Sequence, residues 1–253
     1  MEFKVALVYR SAYLSMFVMM LLQIYLLRVV WTAFYGDREE VGGVGLGTMT
    51  AYATLAMVQY ALLSPWQLSP IEQRVREGKV AVDLLRPIGF PPQVLAGQIG
   101  WASASVPALL VALPFALLIG AAEAPASGVA AVAYAVALAG ALAVNQLLCL
   151  LVGMVAFWTL ETNGMHMVYR FVAQFFSGAL VPLWFMPGPV KAVAQVLPFQ
   201  ATNYVPAALY LGRIEGAGIG VALGVQLFWI AALSALAAWV WSRAQRRVLV
   251  QGG

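Results

Sequence analysis

Charge is what this sequence has least of: Asp, Glu, Lys and Arg together make up 9% of its 253 residues. A water-soluble domain carries about 25% to solvate its surface, so composition excludes a soluble globular fold. Cysteine and histidine are nearly missing too, at one each, Cys149 and His166. A single cysteine rules out an internal disulfide framework and any multi-cysteine metal site. Within its apolar run, Cys149 reads as a buried, inert thiol. One histidine cannot build a histidine-rich metal site or proton relay, and it excludes the HExxH signature of metalloproteases. The phosphate-binding pattern GxxxxGK[ST] is absent, because Gly78-Lys79 lacks both the upstream glycine and the following Ser or Thr. No GxSxG nucleophile elbow occurs. The chain is expected to be non-catalytic, with no cofactor or metal of its own.

What is present is apolar: 63% of the residues are hydrophobic. Stretches without charge run over 11–27, 41–71, 87–122, 124–160, 171–190, 192–212 and 216–242. A spanning helix needs about 20 mostly apolar residues, so seven segments compete. Cytoplasmic loops carry an excess of Lys and Arg. With a cytoplasmic N-terminus and six spans, Lys4, Arg10, Arg74, Arg76, Lys79, Arg86, Arg170, Arg243, Arg246 and Arg247 lie inside. Only Arg38, Lys191 and Arg213 lie outside, and Arg28 falls within the first span. A seventh crossing at 192–212 would move the Arg243, Arg246 and Arg247 tail outside. The net charge of +4 thus follows membrane sidedness and implies no nucleic-acid partner.

Proline gives an independent reason for 180–212 not to cross. Pro182, Pro187, Pro189, Pro198 and Pro206 each remove a backbone donor and disfavour helix continuation. Broken backbone survives at membrane depth only where protein or a water cavity covers it. Residues 183–212 therefore read as two short helices re-entering the outer leaflet, or else as a long external loop. Trp184, Phe185, Phe199 and Tyr204 suit an interfacial position. The expected spans are 14–35, 47–66, 94–120, 128–158, 166–184 and 217–241. The fourth is longer than one crossing needs, so it tilts or projects into the cytoplasm. Residues 1–13 lack a small-residue cleavage site and read as an interfacial helix, not a signal peptide. The expected fold is all-α: one polytopic membrane domain over 1–253, with six transmembrane helices and both termini cytoplasmic.

One loop carries a design. Between spans 2 and 3, residues 69–90 hold most of the cytoplasmic charge. Ser69 is placed to cap a helix, Pro70 to open it and Glu72 to complete a reciprocal capping box. Gly78 is placed to end it in a left-handed conformation. The two turns between put Ile71 and Val75 on one face and leave Arg74, Arg76 and Glu77 for water or a partner. A helix this short is unstable alone, so packing must hold it, either on membrane headgroups or in a soluble protein's groove.

The run Arg76-Glu-Gly-Lys-Val-Ala-Val-Asp-Leu-Leu-Arg-Pro-Ile88 resembles the first cytoplasmic loop of bacterial ABC-2 type permeases, closest to a drug-exporter-like subgroup with short six-helix subunits. Ser177-Gly-Ala-Leu-Val-Pro182, Leu197-Pro-Phe-Gln200 and Tyr204-Val-Pro-Ala-Ala-Leu-Tyr-Leu-Gly212 are similar to that family's fifth span, re-entrant hairpin and approach to the sixth span. The resemblance implies that the short cytoplasmic helix is a coupling helix, docked in a separate ATP-binding subunit that holds ATP and Mg. By position it implicates Ile71, Glu72, Gln73, Arg74, Val75, Arg76 and Glu77, with Lys79, Asp83 and Arg86 flanking. It implies two ATPase copies and a second permease subunit, with a heterodimer favoured over a homodimer. The location implied is the bacterial cytoplasmic (inner) membrane, in contact with membrane lipids.

Other residues carry weaker readings. Gly212, Gly216, Gly220 and Gly224 recur every four residues, a small-residue stripe for close helix packing within the subunit or between subunits. Gly43 and Gly47 repeat the spacing once. Arg28 either snorkels to the headgroups or lies on an interhelical or substrate path. Glu161, His166 and Arg170 read as a solvated turn or a second ATPase contact. Gln59, Tyr60, Gln174, Phe175 and Phe176 are candidates to line a substrate path, and amide and aromatic side chains suit an amphipathic or lipid-like cargo. The spans hold no Asp or Glu, which argues against a proton-coupled carrier. The expected function is the permease subunit of an ATP-driven exporter. An ATPase-independent carrier and a non-transporting scaffold are the alternatives.

Overall fold

The computed structural model describes residues 10–63, 70–159 and 163–251. Eleven α-helices make up almost all of the regular structure among the described residues. In chain order they are α1 (Arg10–Tyr35), α2 (Leu46–Leu63), α3 (Ile71–Arg76), α4 (Val80–Asp83), α5 (Phe90–Ala104) and α6 (Val106–Leu118). There follow α7 (Gly128–Met154), α8 (Asn163–Phe176), α9 (Gly188–Val196), α10 (Tyr204–Tyr210) and α11 (Ala217–Gln251). Besides short 3₁₀ turns there is a two-stranded antiparallel pair, β1 (Glu40–Val41) and β2 (Val44–Gly45), closed by Gly42-Gly43. Gly43 therefore belongs to a tight turn and not to a helical stripe.

Four helical segments are long and apolar enough to cross a membrane: Phe17–Tyr35, Leu46–Leu63, Gly128–Phe157 and Ala217–Arg247. They coincide with expected spans 1, 2, 4 and 6. The expected third span, 94–120, is built from two helices. Pro107 has no N–H and crowds the preceding turn, and the chain gives way at Ser105, whose N–H reaches back only three residues to Ala102 O (3.1 Å). In the expected fifth span, 166–184, helix α8 ends at Phe176 after 14 residues, about 21 Å at 1.5 Å per residue. Residues 183–212 do form two short helices, α9 and α10, separated by a 3₁₀ turn at Pro198–Ala201. Most of the expected interfacial segment 1–13 lies outside the described residues, and Arg10 already belongs to α1.

Helix α7 is the centre of the bundle, packing on α11, α10, α5 and α2. Ser127 starts it, its Oγ accepting the Ala130 N–H at 3.0 Å in the usual N-cap manner. Ala130, Ala133, Ala137 and Ala141 then form a buried small-residue face that lets neighbours approach closely. Buried amides tie the layers together. Gln226 of α11 donates Nε2 to Ala137 O and Ala201 O, both at 2.8 Å. Asn145 of α7 donates to Leu63 O at 2.9 Å, and Asn203 to Ala56 O at 3.2 Å. In contrast, the spanning stretches of α1 and α11 are only 11% buried, leaving apolar flanks of the kind lipid or another helix covers.

Candidate functional site

The loop between α2 and α5 is built around Gly78. Helix α3 ends at Arg76, and Gly78 takes φ +66°, a conformation a side chain disfavours. That turn lets Gly78 N–H donate to Val75 O (3.2 Å) and Lys79 N–H to Arg74 O (2.9 Å), the paired bonds of a Schellman stop. The left-handed ending expected at Gly78 is therefore present. The start differs. Ser69 lies outside the described residues, and Pro70 takes the capping position at φ −62° and ψ −3° without a side-chain cap. Glu72 pairs with Arg76 at 2.9 Å, and the capping box expected of it needs Ser69, outside the described residues. One turn later α4 follows, and its last residue, Asp83, pairs with Arg74 and, at 3.7 Å, with Arg86.

This loop has two faces. Ile71 is fully buried and Val80 nearly so, in a cluster with Phe90, Val94, Leu150, Met154, Phe157 and Trp241. Phe90 stacks on Trp241 at 5.0 Å, and Phe157 meets both rings edge-on. Val75 packs on the same cluster. The anchors expected to enter headgroups or a partner's groove thus fasten the loop to α5, α7 and α11 of its own chain. The outward face is elsewhere. Leu85 is 85% exposed, Val82 62% and Ile88 58%, with Gln73, Glu77, Lys79 and Arg86 exposed beside them. Three large apolar side chains thus stand exposed among charges, on a loop whose inner face is already packed. The sequence reading missed these residues, and the spacing of three in Val82, Leu85 and Ile88 is the signal that could have found them. Gln73 donates to Glu77 at 2.7 Å, and Lys79 reaches Glu77 at 2.5 Å. The Lys79 and Gln73 hydrogen bonds hold the Glu77 carboxyl below its usual range.

A groove of about 260 Å³ opens between α1, α2 and the end of α8. Trp31, Tyr52, Met57, Tyr60, Gln174 and Leu180 contribute to its wall. Of the five residues expected on a substrate path, Tyr60 and Gln174 meet here. Gln59 turns inward, 1% exposed. Phe176 packs with Leu183, Met186 and Ala194, while Phe175 stands exposed, edge-on to Phe176 at 5.2 Å. At the other end of the groove Tyr52 donates to Gly178 O at 2.8 Å. Trp184 and Tyr204, expected as interfacial anchors, pack against the Tyr52 ring at 4.6 and 6.5 Å.

The remaining expectations divide. Gly212 and Gly216 have φ +66° and +54° and lie between α10 and α11, so the four glycines do not share one helix. Gly220 and Gly224 lie on α11, with nothing of this chain within 4 Å of where a Cβ would sit. Close approach to α11 occurs instead at Gly140, where a Cβ would come within 2.8 Å of Gln226 Oε1. Arg28 lays its guanidinium over Gly120 at the end of α6, which favours the interhelical reading. Glu161 lies outside the described residues. His166 is 5% exposed, and residues 160–162 of the turn before it lie outside the described residues.

Cys149 is buried, its sulfur 4.0 Å from the Tyr169 hydroxyl, and no grouping of His, Cys, Asp and Glu able to hold a metal occurs among the described residues. The sequence family described as ABC-2 family transporter protein matches residues 17–252. Neither the curated proteins nor the solved structures contain a match. A match over nearly the whole chain joins four long apolar helices and a rigidly fastened loop to one conclusion: the chain belongs to the ABC-2 transporter family and is a multi-pass membrane component of such a transporter.

Proposed function

We propose that this chain is the permease subunit of an exporter driven by a separate ATP-binding subunit, moving an amphipathic, drug-like or lipid-like substrate outward across the bacterial inner membrane. Family membership implies an ATPase partner in general. The observation that carries the specific reading is the two-faced loop. Ile71 and Val80 bury its inner side against three long helices, while Val82, Leu85 and Ile88 stand exposed among Lys79 and Arg86. A load applied to the outer side is thereby passed to α5, α7 and α11 without first deforming the loop.

In this reading α3 and α4 together are the coupling element, and Gln73, Glu77, Lys79, Leu85 and Arg86 meet the ATPase. Ile71, Glu72, Arg74, Val75, Arg76 and Asp83 shape the loop from within. The chain crosses six times with both ends cytoplasmic. The third crossing uses α5 and α6, the fifth uses α8 with the segment after it, and α9–α10 re-enter from outside. Two ATPase copies need two loops, so the permease pairs with a second permease subunit, a heterodimer being favoured. The groove at Tyr60 and Gln174 is the cargo surface; its apolar wall with two polar groups matches an amphipathic ligand.

Solubilisation of native membranes in mild detergent tests this reading. Recovery of an ATP-binding subunit with the chain is expected, and its consistent absence would leave an ATPase-independent carrier. If the subunit binds but its ATP turnover answers neither to lipophilic compounds nor to changes at Tyr60 and Gln174, the scaffold reading replaces the exporter.

A further inference from the structure

The face of α11 turned away from the bundle changes character along its length. Val221, Phe228, Leu236 and Trp239 are exposed, and the exposed Arg243 and Arg246 continue the same line. At about 100° per residue, the other five fall within about 60° of Trp239. Arg247, also exposed, flanks them. The geometry points to a lipid site: the stripe of Trp239, Arg243, Arg246 and Arg247 binds the headgroups of anionic phospholipids and so steadies the loop packed on the opposite face of α11. The contact with lipid goes beyond the exporter reading, and its effect on coupling rests on that reading.

Helix length places the stripe. From Ala217, the start of α11, to Trp239 is about 33 Å at 1.5 Å per residue, close to the thickness of a hydrocarbon core of about 30 Å. Trp239 thus comes at the membrane boundary, where tryptophan is favoured. Arg243 and Arg246 lie about 6 and 10 Å further along, within reach of phosphates. Arg243 covers the Trp239 ring, its Cζ 4.9 Å from the centroid. That cation–π contact holds the guanidinium at the boundary, where its planar fork of donors suits a phosphate.

Charge selects the ligand. Helix α11 contains no Asp or Glu, and among the described residues none of the three arginines is ion-paired. Arg38 is the contrast. It too covers an aromatic ring, Phe34 at 5.9 Å, but it stands between Asp37 and the Glu39-Glu40 pair. An anion is repelled there and drawn to the α11 stripe, as basic residues beside a span draw anionic lipid.

The other face of the same turns bears the loop. Ala237, Trp241 and Ala244 are buried. Each is two residues from a member of the stripe, hence about 200° round the helix. Trp241 stacks on Phe90 at 5.0 Å and meets Phe157 edge-on at 5.7 Å. Ala244 belongs to the cluster that contains Ile71 and Val80. Only 11% of the spanning stretch of α11 is buried, so the bundle holds it lightly. Lipid that pins the stripe therefore pins the floor on which the loop sits.

Native mass spectrometry of the full chain in mild detergent, titrated with phosphatidylglycerol or phosphatidylcholine, reads the contact directly. Phosphatidylglycerol is expected to bind at least about tenfold more tightly, since each arginine beside an anionic surface contributes about fivefold. The triple variant Arg243→Gln, Arg246→Gln, Arg247→Gln loses that preference and Trp239→Leu weakens it, while Arg38→Gln keeps it. In nanodiscs, phosphatidylglycerol slows hydrogen exchange of residues 79–88 in the parent and not in the triple variant. Equal affinity of the parent for the two lipids, or a preference that survives in the triple variant, overturns the site. So does a preference lost equally in Arg38→Gln, because total charge is then what the lipid reads. Loop exchange that ignores the lipid overturns the link to the loop. If the triple variant keeps its lipid preference but no longer co-purifies with the ATP-binding subunit, the stripe belongs to that subunit and the lipid site is overturned. The lipid measurements use the permease alone, so their failure leaves the exporter reading standing. Absence of any ATP-binding subunit from the parent overturns that reading and leaves the lipid site.

Discussion

Arg74 and Asp83 form an ion pair across the Gly78 turn, joining the last turn of α3 to the end of α4. The Asp83 side chain is 3% exposed and that of Arg74 37%, so the carboxylate is buried and its partner reaches it from the surface. Gln93 completes the clasp by donating to Asp83 O at 3.0 Å and Ile88 O at 2.6 Å. Removing Arg74 leaves a buried acceptor short of its strongest donor, at a cost of about 1–3 kcal/mol. Arg74→Ala is therefore expected to loosen residues 79–88, seen as faster hydrogen exchange there by mass spectrometry with α7 and α11 unchanged. Unaltered exchange in the loop would show that the pair does not hold it.

Gly78 makes the turn on which that pair depends. No atom lies within 4 Å of a Cβ built there, so substitution acts through the backbone alone. Gly78→Ala forces a left-handed alanine, costing about 1–2 kcal/mol. The variant is expected to keep its thermal unfolding temperature within a few degrees, because the added methyl displaces no neighbour. Its stimulation of ATP hydrolysis by the partner falls, and Gly78→Asn, better suited to that conformation, recovers part of it. Equal stimulation in Gly78→Ala and the parent would contradict the turn's role.

Gly140 and Gln226 test the packing of α7 on α11. Gly140→Ala places a Cβ 2.8 Å from Gln226 Oε1 and 3.0 Å from Cδ, displacing the amide that bonds Ala137 O and Ala201 O. Interhelical hydrogen bonds in membranes are worth about 0.6 kcal/mol each on average. Gln226→Leu is expected to cost about 1 kcal/mol on that basis. Gly140→Ala should cost more, and the two changes should be non-additive, as read by thermal aggregation of the purified protein. Strict additivity would show that the two residues do not share one contact.

Lack of charge and the prolines made much of this legible in advance. Expected spans 1, 2, 4 and 6 are single apolar helices, and their signal is local: length and lack of charge suffice. The two short helices in 183–212 followed from five prolines. The break at Ser105 was not read, although Pro107 was visible, because a prolyl interruption in an apolar run also fits a kinked continuous helix. The loop shows the same limit. Gly78's turn was readable because a Schellman stop depends on one residue's φ. Which face of the loop looks inward was not, since Ile71 meets Phe90, Met154 and Trp241 only once distant helices converge. The path residues divided likewise: Tyr60 and Gln174 share the groove, while neighbouring Gln59 lies about 100° round α2 and faces the interior.

The central claim is that the ATP-binding subunit docks on the outer face of the loop. Its most direct test is the affinity of that subunit for the permease in lipid nanodiscs, comparing the parent with the double variant Val82→Ser, Leu85→Ser. Val193→Ser, at an exposed apolar position on α9, serves as the control. Loss of two central apolar anchors should cost at least about 2 kcal/mol, roughly a 30-fold weaker dissociation constant, with the control unchanged. Equal affinities for the parent and the Val82, Leu85 variant would contradict the account.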